Sequence, residues 1–253
     1  MSLMTATIPE LRIDGAVATI TLRRPRQANR LEPDDLAAIC DQVAQVNAQA
    51  AVSVLRLQAS GKTFCAGYDI GRIGGARPVA FEDMVNAVED ARPVTMVLLQ
   101  GGVYGGATDL ALACDFRLGS TNTEMFMPAA RLGLHFYRRG LERYVSRLGL
   151  DQAKRLFLTA EKIDAREMKA IGFLTQLAEP DALQATADTL ATTLSTMAPL
   201  AVTGMKKNLN RIARGALDPV ELQRDIERAA ASRDLQEGRA AWAEKRTPRF
   251  TGE

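Results

Sequence analysis

Residues 101–106 read Gly-Gly-Val-Tyr-Gly-Gly, and they follow a short apolar stretch at 93–99. A short stretch rich in Val and Leu that ends at turn residues is typical of a buried strand. Residues 107–113, Ala-Thr-Asp-Leu-Ala-Leu-Ala, then favour a helix. The same order occurs earlier, where a β-rich stretch at 52–57 leads into a glycine-bearing loop and a helical pattern at 81–88. The recurrence of strand, glycine loop and helix predicts an α/β fold.

The chain on either side of this unit predicts a hairpin at the start and a helical region at the end. Alternating apolar and polar residues flank an Asp-Gly pair at 14–15, which is a hairpin signal. Beyond residue 139 helical patterns follow one another, and the last is expected to run unbroken over 219–236. We therefore expect two parts, a core at 1–195 and a helical C-terminal region at 196–253.

The composition excludes several classes of protein. The 253 residues are 47% hydrophobic and 25% charged, as in a globular protein, and no apolar run reaches the roughly 20 residues that cross a bilayer. Lys and Arg number 32 against 30 Asp and Glu, so no charge excess points to nucleic acid. His135 is the only histidine, and Cys40, Cys65 and Cys114 stand far apart, which excludes the usual zinc signatures. Scattered thiols without a secretory signal favour a cytoplasmic protein.

Two glycine-bearing loops, at 64–69 and 104–109, are the candidates for chemistry. Other glycine motifs are incomplete: Arg56 stands where a phosphate loop needs its first glycine, and neither G-x-G-x-x-G nor G-x-S-x-G occurs. Each of the two loops follows a short apolar strand and can present a backbone N–H to one point. Two converging N–H groups form an oxyanion hole, which stabilises negative charge on a carbonyl oxygen. The alternative is that the glycines only permit tight turns.

Five segments keep a recognisable order and spacing. The two most specific are Ser-Gly-Lys-Thr-Phe-Cys-Ala-Gly-Tyr-Asp-Ile at 60–70 and Gly-Val-Tyr-Gly-Gly-Ala-Thr-Asp-Leu-Ala-Leu-Ala-Cys-Asp at 102–115. The others are 24–31, 127–134 and 244–250. Together they resemble the crotonase family, the enoyl-CoA hydratase/isomerase superfamily, over nearly the whole chain. The resemblance implies a spiral of repeated ββα units with a helical C-terminal trimerisation region. It also implies an acyl-CoA substrate, with coenzyme A as part of the thioester and no permanently bound cofactor.

The resemblance assigns roles to individual residues. It places the two oxyanion donors at the N–H groups of Tyr68 and Gly106, where they would hold a thioester enolate. It places the CoA adenine against Ala66 and its neighbours, and the CoA phosphates near Arg30 and Lys62. The neighbours included in this CoA-binding set are Gly67, Asp69 and Ile70. For the two basic residues the alternative is a solvated surface charge.

The acid–base positions depart from the family pattern. A family hydratase carries glutamates at the positions of Asp109 and Ala129, and this chain keeps one carboxylate of the two. On a helix, Asp109 lies on nearly the same face as Gly106, so we expect it to be the principal acid/base. The alternative is an aspartate that only complements the helix dipole. The resemblance puts Tyr137 where several family members place a catalytic side chain. His135 is a further candidate, because residues i and i+2 of an extended segment point to the same side. A structural role is the alternative for each.

Hydration or isomerisation of an unsaturated acyl-CoA is the expected reaction. Because Ala129 cannot transfer a proton, decarboxylation, hydrolysis and C–C cleavage stay open, as does a non-catalytic acyl-CoA-binding protein. The tail with Trp242 and Phe250 resembles the family's trimerisation region, so we expect a homotrimer or a dimer of trimers, without a nucleic-acid or membrane partner. The alternative is that Trp242 packs only within its own subunit.

Overall fold

The computed structural model describes residues 8–69, 71 and 79–253. In these ranges the strands are β1 (Glu10–Asp14), β2 (Val17–Leu22), β3 (Val54–Ala59), β4 (Val94–Leu99), β5 (Val103–Tyr104), β6 (Phe116–Ser120), β7 (Glu124–Phe126), β8 (Ile163–Asp164) and β9 (Gln176–Ala178). The helices are α1 (Pro33–Asn47), α2 (Phe81–Glu89), α3 (Gly106–Ala113), α4 (Arg138–Leu148), α5 (Leu150–Thr159), α6 (Ala165–Ala170), α7 (Leu183–Ser195), α8 (Pro199–Ala213), α9 (Pro219–Ala230) and α10 (Arg233–Glu244).

A six-stranded sheet with the order β1-β2-β3-β4-β6-β9 forms the centre of the molecule. Strands β1 and β2 form an antiparallel hairpin in which Asp14 pairs with Val17, and all other neighbours in this sheet are parallel. A smaller sheet has the order β5-β7-β8. The predicted α/β fold and the opening hairpin are therefore confirmed.

In the middle of the chain, one strand joins each sheet before a helix. Strand β4 joins the large sheet and β5 the small one before α3, and β6 and β7 repeat this order before α4. The preceding turn has the same plan, because after β3 Cys65 forms a parallel bridge with Val103 of β5. This is the expected ββα repeat. It places the loops that follow β3 and β4 side by side.

The alternation of side chains along the central strands builds two hydrophobic clusters. In β4, Val97 and Leu99 belong to one cluster and Met96 and Leu98 to the other, so the two clusters lie on opposite faces of the sheet. The larger cluster includes buried side chains of α1 to α6, and the smaller one is covered by α7. The glycine loops lie at the edge of the larger cluster, which contains Phe64 and Ala107.

The last helices differ from the sequence prediction at one point. The expected single helix over 219–236 is wrong, since α9 ends at Ala230 and α10 begins at Arg233. The hydroxyl of Ser232 accepts a hydrogen bond from the N–H of Leu235 at 3.1 Å and so caps a new helix. The predicted division between 1–195 and 196–253 falls between α7 and α8 and stays a prediction.

The C-terminal helices leave a large aromatic side chain in solvent. Trp242 on α10 is 88% exposed, so the alternative that it packs within its own subunit is wrong. Apolar side chains of α8 are also more than half exposed, namely Met205, Leu209 and Ile212. Among the described helices, none has the length and apolar character needed to cross a membrane.

Candidate active site

The segment around Gly67 runs between two other parts of the chain. Cys65 pairs with β5 on one side, and Tyr68 forms a bridge with Leu31 on the other. The N–H of Leu31 donates to the carbonyl of Gly67 at 2.8 Å, and the N–H of Asp69 donates to the carbonyl of Leu31 at 3.0 Å. Backbone groups alternate in direction along an extended segment, so the N–H of Tyr68 points away from Leu31, towards the side of β5.

Only glycine fits between the two loops. Gly67 has a φ of +90°, and a Cβ there would lie 2.7 Å from the carbonyl oxygen of Tyr104 and 3.2 Å from the nitrogen of Gly106. Gly106 is the first residue of α3, so its N–H has no acceptor within the helix and lies at the positive end of the helix dipole. The structure thus brings the two glycine loops into contact at a helix N-terminus.

A mostly apolar cavity of about 280 Å³ borders this contact. Its walls include the backbone at 66–68 and 105–106, together with the side chains of Ala129, Leu132 and Phe136. Among the described residues that line it, Tyr68, His135 and Tyr137 carry the titratable side chains. A larger cavity of about 530 Å³ lies between the end of α2 and helices α8 and α9, away from the predicted site residues.

Asp109 lies behind the cavity wall rather than in it. Its side chain is 0% exposed, and it forms a two-point ion pair with Arg143 of α4, whose Nε lies 2.9 Å from Oδ1 and whose Nη2 lies 2.8 Å from Oδ2. The Tyr137 hydroxyl donates to Oδ2 of the same carboxylate. Asp109 does not itself line the cavity, whereas Tyr137, which bonds to it, does, and the acid/base role of Asp109 stays a prediction.

Glu89, at the end of α2, balances the charge of Arg143. Its carboxylate lies 3.0 Å from Nη1 of Arg143 and 2.9 Å from Nη1 of Arg214, and it also pairs with Arg139 and Arg147. Burial alone would raise the pKa of Glu89, but the arginines more than offset this and hold the pKa below its ordinary value. Burial likewise disfavours the charged form of Arg143, yet its carboxylate partners raise its pKa above the ordinary value. Glu89 and Arg143 therefore both stay ionised at neutral pH.

Tyr137 and His135 both line the cavity. Burial, followed by the charge of Asp109, raises the pKa of Tyr137, so its hydroxyl keeps its proton at neutral pH. His135 is exposed at the rim, with Nδ1 2.8 Å from the carbonyl oxygen of Phe136. If Nδ1 carries the proton and donates to that carbonyl, Nε2 is the nitrogen that can accept one.

The predicted CoA-binding residues lie on two sides of the Gly67 segment. Arg30 is half-buried and pairs with Glu32 at 3.1 Å and with Asp69 at 3.6 Å, so two carboxylates already balance its charge. Lys62 is exposed on the loop that leads to Gly67. Ala66 lines the cavity, and its N–H donates to the carbonyl of Ala28 at 2.9 Å. Ile70 lies outside the described residues.

Sequence reasoning missed Arg143 and Glu89. The signal for Arg143 was the spacing of Arg139, Arg143 and Arg147, which places three arginines on one face of a helix. Arginines that share a face with buried positions need carboxylate partners, and Glu89 and Asp109 supply them. The pattern did not reveal which carboxylates these would be.

Paired ββα repeats, with two glycine loops meeting at a helix N-terminus beside an apolar cavity, place the chain among crotonase-fold proteins. The family model for enoyl-CoA hydratase/isomerase matches residues 12–253. The chain belongs to that family.

Similar proteins carry out more than one reaction. The crotonyl-CoA hydratase of Syntrophomonas wolfei subsp. wolfei is 30% identical over 262 residues, covering 95% of this chain and 96% of that protein. The trans-2-decenoyl-[acyl-carrier-protein] isomerase of Streptococcus mutans is 27% identical, covering 95% of this chain and 96% of that protein. The crystal structure of an enoyl-CoA hydratase from Bacillus anthracis has a TM-score of 0.86 at 27% identity, covering 97% of this chain and 99% of that chain.

Proposed function

We propose that the protein is an acyl-CoA enzyme of the enoyl-CoA hydratase/isomerase type that stabilises a thioester enolate. The carbonyl oxygen would accept hydrogen bonds from the N–H groups of Tyr68 and Gly106, with the acyl group in the adjoining cavity. The observation that carries this proposal is the contact of the two glycine loops, where a Cβ on Gly67 would lie 3.2 Å from the Gly106 nitrogen. Two backbone donors at one point are what a developing oxyanion requires.

Coenzyme A enters the proposal as part of the substrate. Ala66, Gly67 and Asp69 would contact its adenine end, and exposed Lys62 is the more suitable of the two proposed phosphate contacts. Arg30 already pairs with two carboxylates, so it would bind phosphate only by exchanging partners.

Asp109 would act as the principal acid/base through Tyr137. A proton that leaves the substrate reaches the Tyr137 oxygen while the tyrosine proton moves to Oδ2 of Asp109, and the reverse transfer restores both groups. The hydrogen bond between Tyr137 and Asp109 supports this route. Such a positioned proton transfer is typically worth about 10²–10⁴ in rate. His135, at the cavity rim, is the second proton-transfer candidate.

A second group of reactions is favoured by one observation. Asp109 is fully buried in an ion pair, and Ala129 lines the cavity where a hydratase of this family would place a carboxylate. Decarboxylation, thioester hydrolysis and C–C cleavage use the same N–H pair to hold an enolate or oxyanion, and they depend less on a carboxylate in the cavity. An acyl-CoA-binding protein without turnover would also fit these two residues.

A panel of thioesters tests the proposal. The protein is incubated with 2-enoyl-, 3-hydroxyacyl-, 3-oxoacyl- and 2-carboxyacyl-CoA, and the products are followed by mass spectrometry. Interconversion of enoyl and hydroxyacyl thioesters, or a shifted double bond, supports the leading reaction. Loss of CO₂, free CoA or chain cleavage supports the second group, whereas binding without conversion supports the non-catalytic protein.

Matched tyrosine variants identify the site of turnover. Tyr137→Phe should lower turnover, and Tyr104→Phe is the control because that hydroxyl bonds to Glu124 on the small sheet. Equal activity in both variants would contradict the role given to Tyr137.

We also propose that the protein assembles as a homotrimer or a dimer of trimers. The support is the exposed apolar surface of the C-terminal helices, above all Trp242. A cytoplasmic location is proposed on the three unpaired cysteines, Cys40, Cys65 and Cys114.

A further inference from the structure

The hydrogen-bond direction at Tyr137 is fixed by the group behind it. A tyrosine hydroxyl has one hydrogen to donate and two lone pairs that accept. The hydrogen of Tyr137 goes to Oδ2 of Asp109, and an ionised carboxylate can only accept. Tyr137 therefore has only lone pairs to offer to anything else.

Arg143 is the residue that pairs with the Asp109 carboxylate. Arg143 is 1% exposed and donates a hydrogen bond to each of the two carboxylate oxygens. Whichever of these oxygens faces Tyr137, it can only accept a hydrogen bond. Besides Tyr137, the ionisable groups that interact with Asp109 are Arg143 and Tyr144 on α4, and Glu89 on α2 shares Arg143 with it. On β5, Tyr104 bonds away to Glu124. Arg143 is therefore the cation among these described groups that directly neutralises Asp109.

We propose that Arg143 is a positioning residue that makes Tyr137 a hydrogen-bond acceptor towards the cavity. The site then selects acyl-CoA thioesters that present a donor, either a hydroxyl group or a bound water, at the carbon facing Tyr137. A 3-hydroxyacyl-CoA can donate to Tyr137, whereas a 3-oxoacyl-CoA presents only another acceptor. This inference rests on the proposed function, because it requires that acyl-CoA binds in the cavity.

Ligand pairs measure the direction of the hydrogen bond. The dissociation constants of 3-hydroxybutyryl-CoA and 3-oxobutyryl-CoA are measured by calorimetry between pH 5.5 and 8.5. The wild type should bind the hydroxy ligand about 3- to 10-fold more tightly, the range expected for one neutral hydrogen bond, at every pH. Tyr137→Phe should bring the ratio close to one. A Tyr137→Phe ratio equal to that of the wild type would overturn the proposal.

Arg143→Met tests the positioning role. A buried carboxylate that has lost its cation takes up a proton more readily, and a protonated Asp109 donates to Tyr137. The tyrosine hydrogen then turns to the cavity, so the preference should shift towards the oxo ligand as the pH falls. Arg139→Met is the matched control, because Arg139 pairs with Glu89 and Asp90 on the same network without touching Asp109. Its ratio should equal that of the wild type.

Two further variants separate positioning from folding. If Arg143→Met does not fold, Arg143→Lys keeps the charge and should retain the wild-type preference for the hydroxy ligand. The double variant Arg143→Met with Asp109→Asn leaves no unpaired charge and should show a ratio that does not change with pH. A pH-dependent ratio in the double variant, a folded Arg143→Met protein with an unchanged ratio, or a folded Arg143→Lys protein that has lost the preference would overturn the inference. Equal binding of the two ligands by the wild type also overturns this inference but leaves the proposed enolate stabilisation intact. Failure of the wild type to bind any CoA thioester overturns both the inference and the proposed function.

Discussion

Replacing Gly67 with alanine should damage the proposed oxyanion site more than it damages the fold. The new Cβ would lie 2.7 Å from the carbonyl oxygen of Tyr104 and 3.2 Å from the nitrogen of Gly106, both of them backbone atoms that cannot rotate away. The loops must separate, and the N–H of Gly106 then leaves its position beside Gly67. Loss of one such donor costs about 10²–10³ in kcat.

The stability cost has two parts that a control variant separates. A side chain at a φ near +90° costs about 1–3 kcal/mol, and overpacking against fixed atoms adds about 1–3 kcal/mol. Gly149 has a φ of +82°, and in the described part of the chain nothing lies within 4 Å of its Cβ position. Gly149→Ala should therefore lose only the stability that the positive φ costs. For a chain of this size each kcal/mol lowers the melting temperature by about 2–4 °C.

The assay combines melting curves with turnover on whichever thioester the panel identifies. Gly67→Ala should melt below Gly149→Ala and lose at least about 100-fold in kcat, while Gly149→Ala keeps nearly full turnover below its melting range. Equal melting temperatures together with full turnover in Gly67→Ala would refute the reasoning from loop contact.

Three other variants test separate features of the structure. Because the pKa of Glu89 is depressed, its stabilisation is present above the ordinary value of 4.5 and is lost as the pH falls through the lower folded value. Urea titrations should show a smaller loss of stability in acid for Glu89→Gln than for the wild type, and Glu89→Gln should be about 3–5 kcal/mol less stable at pH 7. Lys62→Gln should raise the KM for CoA thioesters several-fold at low salt and less at high salt. The control Lys154→Gln, at an exposed position on α5, should leave the KM unchanged. If Lys62→Gln has the KM of the wild type, Lys62 does not belong to the site. Trp242→Ser should reduce the mass found by light scattering at micromolar concentration to that of a monomer. The control Leu158→Ser, at a position 72% exposed, should keep the mass of the wild type. A wild-type protein that is itself a monomer would contradict the proposed assembly.

The repeat that builds the fold is visible in the sequence because its signals are local. Short apolar strands, glycine turns and helical spacing each occupy fewer than about a dozen residues, so pattern alone finds them. The small sheet gave no such signal, since β5 and β8 have two residues each and pair only with distant segments. The break between α9 and α10 does have a local signal, the N-cap at Ser232, which the helical pattern around it concealed.

The candidate site was predictable in its backbone and less so in its charges. The contact of Gly67 with the start of α3 follows from the order of the repeats, and Tyr137 was indicated by the family resemblance. The burial of Asp109 could not be read from its own surroundings in the sequence. Its partner Arg143 lies 34 residues further along the chain, on a helix whose buried face only the packed structure defines.

Carbon-13 NMR of a thioester labelled at its carbonyl carbon tests the central claim most directly, since it reports hydrogen bonding to the carbonyl without requiring turnover. A saturated acyl-CoA labelled at C1 is bound to the wild type, to Gly149→Ala and to Gly67→Ala. The N–H groups of Tyr68 and Gly106 should polarise the carbonyl, so its resonance should move downfield on binding to the first two proteins and much less on binding to the third. Saturable binding with an unshifted carbonyl resonance in the wild type would contradict the account.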